Sequence, residues 1–224
     1  MTQKNQRVFI AYFLACVALF LSLVLWTRVF AGREAEQTPF HPVAADDGGG
    51  EVSSSGVRHR KEASEELTQW GLTQRYELSI PSLSVRAPVF VPDRKYWDAG
   101  NWDLLEQQMQ VGLSYGVVTY PHAVPPGEQG TLIIAGHSSP PDQRAAAHSF
   151  GKIFEMLPDL KVGAEITVRF GTTSVTYEVA DTMVVSPSDT TILAQQKDES
   201  LLKLITCYPV GTVKDRLVII AKRK

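Results

Sequence analysis

Beyond about residue 74 the chain is written in short apolar or alternating runs separated by Pro, Gly and Ser. Residues 76–80, 85–91, 116–120, 131–135, 165–170, 174–185, 202–206 and 216–221 each read as a strand. The last, Leu217-Val218-Ile219-Ile220-Ala221, has no polar gap, which predicts a strand covered on both faces. Gly171-Thr172-Thr173 lies between two such runs and signals a hairpin. Helical patterning is confined to 102–110 and 149–157, with a further short helix over 60–70, where Leu67 and Trp70 stand at i and i+3. Many short strands with few helices predict a mainly β domain, a closed barrel with one or two short helices.

The N-terminus follows a different pattern. Residues 8–26 carry no charge, and only Tyr12 and Ser22 interrupt the aliphatic character. At ~1.5 Å per residue this run reaches roughly 30 Å, enough to cross a bilayer core. Lys4 and Arg7 precede it and Arg28 and Arg33 follow, a balance that leans only weakly toward a cytoplasmic N-terminus. Val29-Phe30-Ala31 would also suit a signal peptidase, but the run exceeds a usual signal-peptide core, which favours an uncleaved anchor. From Gly32 to about Gly56, with Gly48-Gly49-Gly50 and Ser53-Ser54-Ser55, the chain is too polar to bury a core and reads as a tether. The expected organisation is a cytoplasmic N-terminus (1–7), a single transmembrane anchor (8–27), a flexible linker with a short helix (28–73) and a catalytic domain (74–224) on the extracytoplasmic side.

Charge and rare residues narrow the function. The net charge of -2 without a Lys/Arg cluster argues against nucleic-acid binding. The five histidines (41, 59, 122, 137 and 148) show no ligand spacing with the two cysteines, and no Gly-rich phosphate loop follows a strand, so neither a metal nor a cofactor is expected. Cys16 lies in the apolar N-terminal run, which leaves Cys207 a lone thiol in an exported domain, with no partner there for a disulfide.

Cys207 ends one strand-like run, His137 ends another after Gly136, and Arg216 opens a third. If those strands are neighbours, a thiol, a proton carrier and a fixed positive charge converge, the set that acyl transfer through a thioester needs. Singly, each has a plainer reading: a core cysteine, a loop histidine, a solvated arginine. Asp142, in a Pro-rich loop, reads as a solvated turn residue, and His122 and His148 are second choices to His137.

Leu204-Ile205-Thr206-Cys207 with Arg216 nine residues on resembles the active-site motif of the sortase family, Thr-Leu-x-Thr-Cys followed by Arg. Ile80-Pro81-Ser82-Leu83-Ser84-Val85 is similar to the family's first strand. The segment from Pro125-Pro126-Gly127 to Ala135-Gly136-His137 is similar to its histidine segment. Phe150-Gly151-Lys152-Ile153-Phe154 and Val184-Val185-Ser186-Pro187 follow in the family's order. Lys203 stands where the motif's first Thr is usual, the loop 138–148 is longer than in the shortest relatives, and residues 93–108 are idiosyncratic. The resemblance implies a membrane-tethered cysteine transpeptidase with an eight-stranded barrel. In it Cys207 attacks the Thr carbonyl of a Leu-Pro-x-Thr-Gly-like signal near the C-terminus of another exported protein. His137 transfers the protons, Arg216 stabilises the oxyanion, and an amine on the cell wall or a pilus subunit accepts the acyl group. A barrel binding module without catalysis, or a peptidase that only hydrolyses, would use the same scaffold. An L,D-transpeptidase would require Ser-x-Gly-Cys, which Ile205-Thr206-Cys207 does not supply.

Overall fold

Each predicted strand run becomes a strand, and the eight close on themselves. The structure, a computed structural model, describes residues 54–141 and 149–224. The strands are β1 (Leu72–Ile80), β2 (Val85–Pro92), β3 (Val117–Thr119), β4 (Gly130–Ala135), β5 (Glu165–Phe170), β6 (Thr173–Val185), β7 (Ser200–Tyr208) and β8 (Asp215–Arg223). Their order around the closed barrel is β1-β2-β3-β4-β7-β8-β6-β5. Two pairings are parallel, β2 with β3 and β4 with β7; the rest are antiparallel.

Period-two alternation sorts the side chains onto two faces. Leu132 and Ile134 of β4, Leu202 and Leu204 of β7, and Leu217 and Ile219 of β8 point into the barrel core with Leu78, Val89, Ile166 and Tyr177. The alternate residues Ile133, Ile205 and Val218 form a second buried cluster outside the barrel wall, covered by Tyr120, Ala123, Ile192 and Leu193. The unbroken apolar runs of β4 and β8 are therefore strands buried on both faces, as their sequence pattern predicts. Burying an aliphatic side chain such as Ile205 contributes roughly 1.5–3 kcal/mol, so this second layer binds the covering segment firmly to the wall.

Among the described residues three α-helices lie outside the strands: α1 (Ser54–Gln69), α2 (Lys95–Asp98) and α3 (Trp102–Tyr115). α1 begins within the stretch expected to be a tether, absorbing Gly56. It is tied to α3, where the Tyr115 hydroxyl donates to Glu66 Oε2 at 2.7 Å. Asn101 caps α3 by accepting from the Leu104 amide at 3.2 Å. The helix runs past Gln110 because Gly112 does not break it. An added Cβ there would meet Val118 Cγ2 at 2.6 Å, so the glycine serves close packing of α3 on β3.

The helix expected over 149–157 does not form. The segment is a series of turns with three-residue bonds, Ile153 N–H to Phe150 O at 3.2 Å and Leu157 N–H to Phe154 O at 3.1 Å. The Phe154 amide, which a helix would use internally, donates instead to His137 O at 2.8 Å, and the Phe154 ring sinks wholly into the core. The transmembrane reading, the tether up to residue 53, and the Asp142 and His148 readings fall outside the described residues.

Candidate active site

Strand order and register place the three candidate residues together. β4 lies parallel to β7 with Ala135 opposite Ile205, so His137, two residues past Ala135, reaches the level of Cys207. β7 lies antiparallel to β8 with Cys207 directly opposite Arg216. By alternation Ile205 and Cys207 share the outer face with Val218 and Arg216. All three candidates line one cleft of about 1290 Å³, whose floor includes Ala135 and Ile205.

The backbone around His137 is held from both sides. The Gly136 amide donates to Ile205 O at 3.1 Å, and the Thr206 hydroxyl, buried, donates to Gly136 O at 2.8 Å. The Ser138 hydroxyl donates to Cys207 O at 2.8 Å. Gly136 is required for a steric reason: a Cβ would lie 2.5 Å from Phe154 Cδ2. His137 is 8 % exposed and Cys207 half-buried, so the thiol is reachable but poorly hydrated. The Arg216 guanidinium is turned toward the β7–β8 loop, where Nη1 donates to Val213 O at 3.2 Å and Asp215 O at 3.1 Å. These bonds hold a fixed positive charge beside the Cys207 strand, a geometry suited to stabilising a developing oxyanion.

Several residues of the cleft escaped the sequence reading. Tyr120, the last residue of the predicted third strand, lines the cleft, and burial pushes its phenol up. The Glu106 charge adds to that rise, Arg216 opposes it and Cys207 reinforces it, so the hydroxyl stays a neutral donor within the field of the nucleophile. Its position at a strand mouth was the same signal that singled out His137. Trp97 stacks on His122 with ring centroids 4.4 Å apart, and Trp102 meets Trp97 edge-on at 5.6 Å. Both tryptophans come from the idiosyncratic segment 93–108, whose sequence carried no sign of a site. His122 lines the same cleft, and its Nε2 lies 2.8 Å from Leu193 O, where it ties two loops together. Lys203, the departure from the usual Thr, donates from Nζ to Ile192 O at 2.8 Å and to Ala194 O at 3.4 Å. It thereby supports residues 190–195, several of which form a wall of the cleft. Among the described residues no group of three or more His, Cys, Asp or Glu converges to hold a metal ion.

Fold and site together define a closed β-barrel protein with a thiol, an imidazole and a guanidinium at the ends of three adjacent strands. The family model of the sortase domain matches residues 78–224. Sortase D of Bacillus subtilis is 29% identical over 114 residues, covering 50% of this chain and 52% of that protein, so the chain spans about half the length of this curated relative. Among solved structures, the Clostridium perfringens Sortase D5 transpeptidase is similar at a TM-score of 0.52 and 25% identity, over 74% of this chain and 88% of that one. Sortase C-1 of Actinomyces oris shares the fold at a TM-score of 0.54 and 23% identity, over 75% and 84% of the two chains. The chain belongs to the sortase family.

Proposed function

We propose that this protein is a cysteine transpeptidase that cleaves a Leu-Pro-x-Thr-Gly-like sorting signal in exported proteins and transfers the acyl group to an amine. The observation that carries the reading is the convergence of His137, just past β4, with Cys207 of β7 and Arg216 of β8 on one cleft. The Cys207 thiolate attacks the Thr carbonyl carbon, and Arg216 stabilises the oxyanion, a contribution worth about 3 kcal/mol for a well-placed donor. Collapse of the tetrahedral intermediate breaks the peptide bond, and His137 gives its proton to the departing amine. The resulting thioester is attacked by the acceptor amine, whose proton returns to His137 as the Cys207 thiolate leaves. The acceptor belongs to the cell wall or a pilus subunit, and residues 8–27 hold the enzyme at the membrane with residues 74–224 outside, where both substrates are found.

Intact mass spectrometry of the full chain with a pool of such peptides tests the reading, with Cys207→Ala alongside. The expected result is a peptide adduct on the wild type alone, discharged by adding a glycine amine. A Cys207 that takes up a small alkylating agent but never a peptide would overturn the substrate class. An adduct discharged at the same rate with and without amine would favour hydrolysis.

A further inference from the structure

Among its described lining residues the cleft carries one carboxylate, Glu106, and one permanent cation, Arg216. They belong to different walls. Arg216 opens β8 beside Cys207, whereas Glu106 sits on α3. Trp102, Glu106 and Gln110 recur every fourth residue and so share one face of that helix. Gln110 Nε2 donates to Glu106 Oε1 at 2.7 Å, which steadies the carboxylate on its exposed helix face. Beside it runs a continuous aromatic wall. Trp102, 61% exposed at the rim, meets Trp97; Trp97 stacks on His122; and His122 meets Tyr120 edge-on at 6.1 Å. The wall ends at the phenol that feels the charges of both Glu106 and Cys207.

A carboxylate one helical turn from an exposed indole is the chemistry that holds an organic ammonium, through charge attraction and the negative face of the ring. Of the two substrates in the proposed reaction, the acyl donor brings carbonyl oxygens and develops an oxyanion, which suits the Arg216 side. The acceptor is a primary amine and arrives protonated at neutral pH. We propose that Glu106, with Trp102 and Trp97, is the docking subsite for the ammonium group of the acceptor. The proposal rests on the transpeptidase reading for its place in the cycle. Only the neutral amine attacks the thioester, so Glu106 acts in capture and delivery along the aromatic wall, and the proton is shed near His137. Loss of Glu106 then raises KM for a cationic acceptor, leaves thioester formation alone, and does not affect a nucleophile that is uncharged at neutral pH.

The test has two arms on the full chain. In the first, tryptophan fluorescence is followed during titration with triglycine amide and with its N-acetylated form. A saturable change with the free amine only is expected, weakened about twofold to fivefold in Glu106→Gln and more in Glu106→Lys. In the second, the wild-type and Glu106→Gln thioesters are partitioned between hydrolysis and transfer to triglycine amide or to hydroxylamine. The variant is expected to lose transfer to triglycine amide at low concentration, to recover at saturation, and to match wild type with hydroxylamine. An equal fluorescence response to the acetylated peptide, an unaffected Glu106→Gln, or a variant defect confined to acylation would each overturn the subsite, the last assigning Glu106 to the sorting peptide instead. The binding arm needs no acyl-enzyme. Amine binding that depends on Glu106 without any thioester would support the subsite and overturn the transpeptidase reading alone.

Discussion

Thr206 and Gly136 show how single side chains set the site from behind. Neither reacts, yet the Thr206 hydroxyl bonds Gly136 O across 70 residues of sequence and fixes the strand end that carries His137 against the one that carries Cys207. Thr206→Val keeps the shape and removes the donor, leaving a buried carbonyl unpaired. It is expected to cost about 1–3 kcal/mol, read as a lowered denaturation midpoint, and to reduce kcat more than KM because the two strand ends lose their common strap. Unchanged stability with unchanged kcat would show the bond to be dispensable. The sequence marked Thr206 as the motif's conserved-type neighbour of the cysteine, but its partner was invisible there, since a bond of this kind is decided by which strands become neighbours. Arg216 is a similar case. Its place opposite Cys207 follows from β7–β8 register, whereas the carbonyls that hold its guanidinium come from the intervening loop and the first residue of β8.

The element that most shapes the cleft is the β6–β7 connection. Asp189 caps the short 3-10 turn Thr190–Leu193 by accepting from the Thr191 amide at 3.0 Å. Beyond it Gln195 reaches across to β4, accepting from Thr131 N–H at 2.8 Å and donating to His122 O at 3.1 Å. Lys203 supports the same stretch from below, and burial lowers its pKa. Lys203→Met retains the aliphatic stem and removes the donor that engages Ile192 and Ala194. The expected outcome is a KM for the sorting peptide raised about threefold to tenfold with kcat little altered, because a loosened wall weakens binding without touching the reacting groups. Steady-state kinetics on the variant checks this; a fall in kcat alone would place Lys203 in the chemistry. The departure of Lys203 from the family motif thus has a structural account, one that needed the fold of the loop above it. Local pattern also misjudged the helices. The helix expected over 102–110 runs on to Tyr115 with Gly112 packed against Val118, and 149–157 reads as a helix but gives up the Phe154 amide to His137 O.

At the scale of the molecule the barrel makes pH a probe of packing. Burial raises the phenol pKa of Tyr76, Tyr120 and Tyr177 above the ordinary 10.0. A group whose folded pKa is raised keeps its proton longer when folded. Its stabilising share is therefore complete below pH 10.0 and is lost as pH rises through the folded value. Tyr177 is fully buried and accepts from the Gly127 amide at 2.8 Å. Denaturation midpoints above pH 10.0 are expected to fall with pH, and Tyr177→Phe should flatten that slope by up to about 1.4 kcal/mol per pH unit. An identical slope in the variant would remove Tyr177 from the alkaline transition. Strand runs, their alternation, and the placing of His137, Cys207 and Arg216 at strand ends were determined by sequence alone, because each depends on residues within a few positions of one another. Which strands adjoin, and so which ends meet, was decided by closing the barrel, where β4 pairs with β7 across 70 residues. The same closure brought Tyr120 and the Trp97–Glu106 wall to the cleft that holds the thiol. These contacts join segments distant in sequence, and their free energy exists only once the whole core is buried.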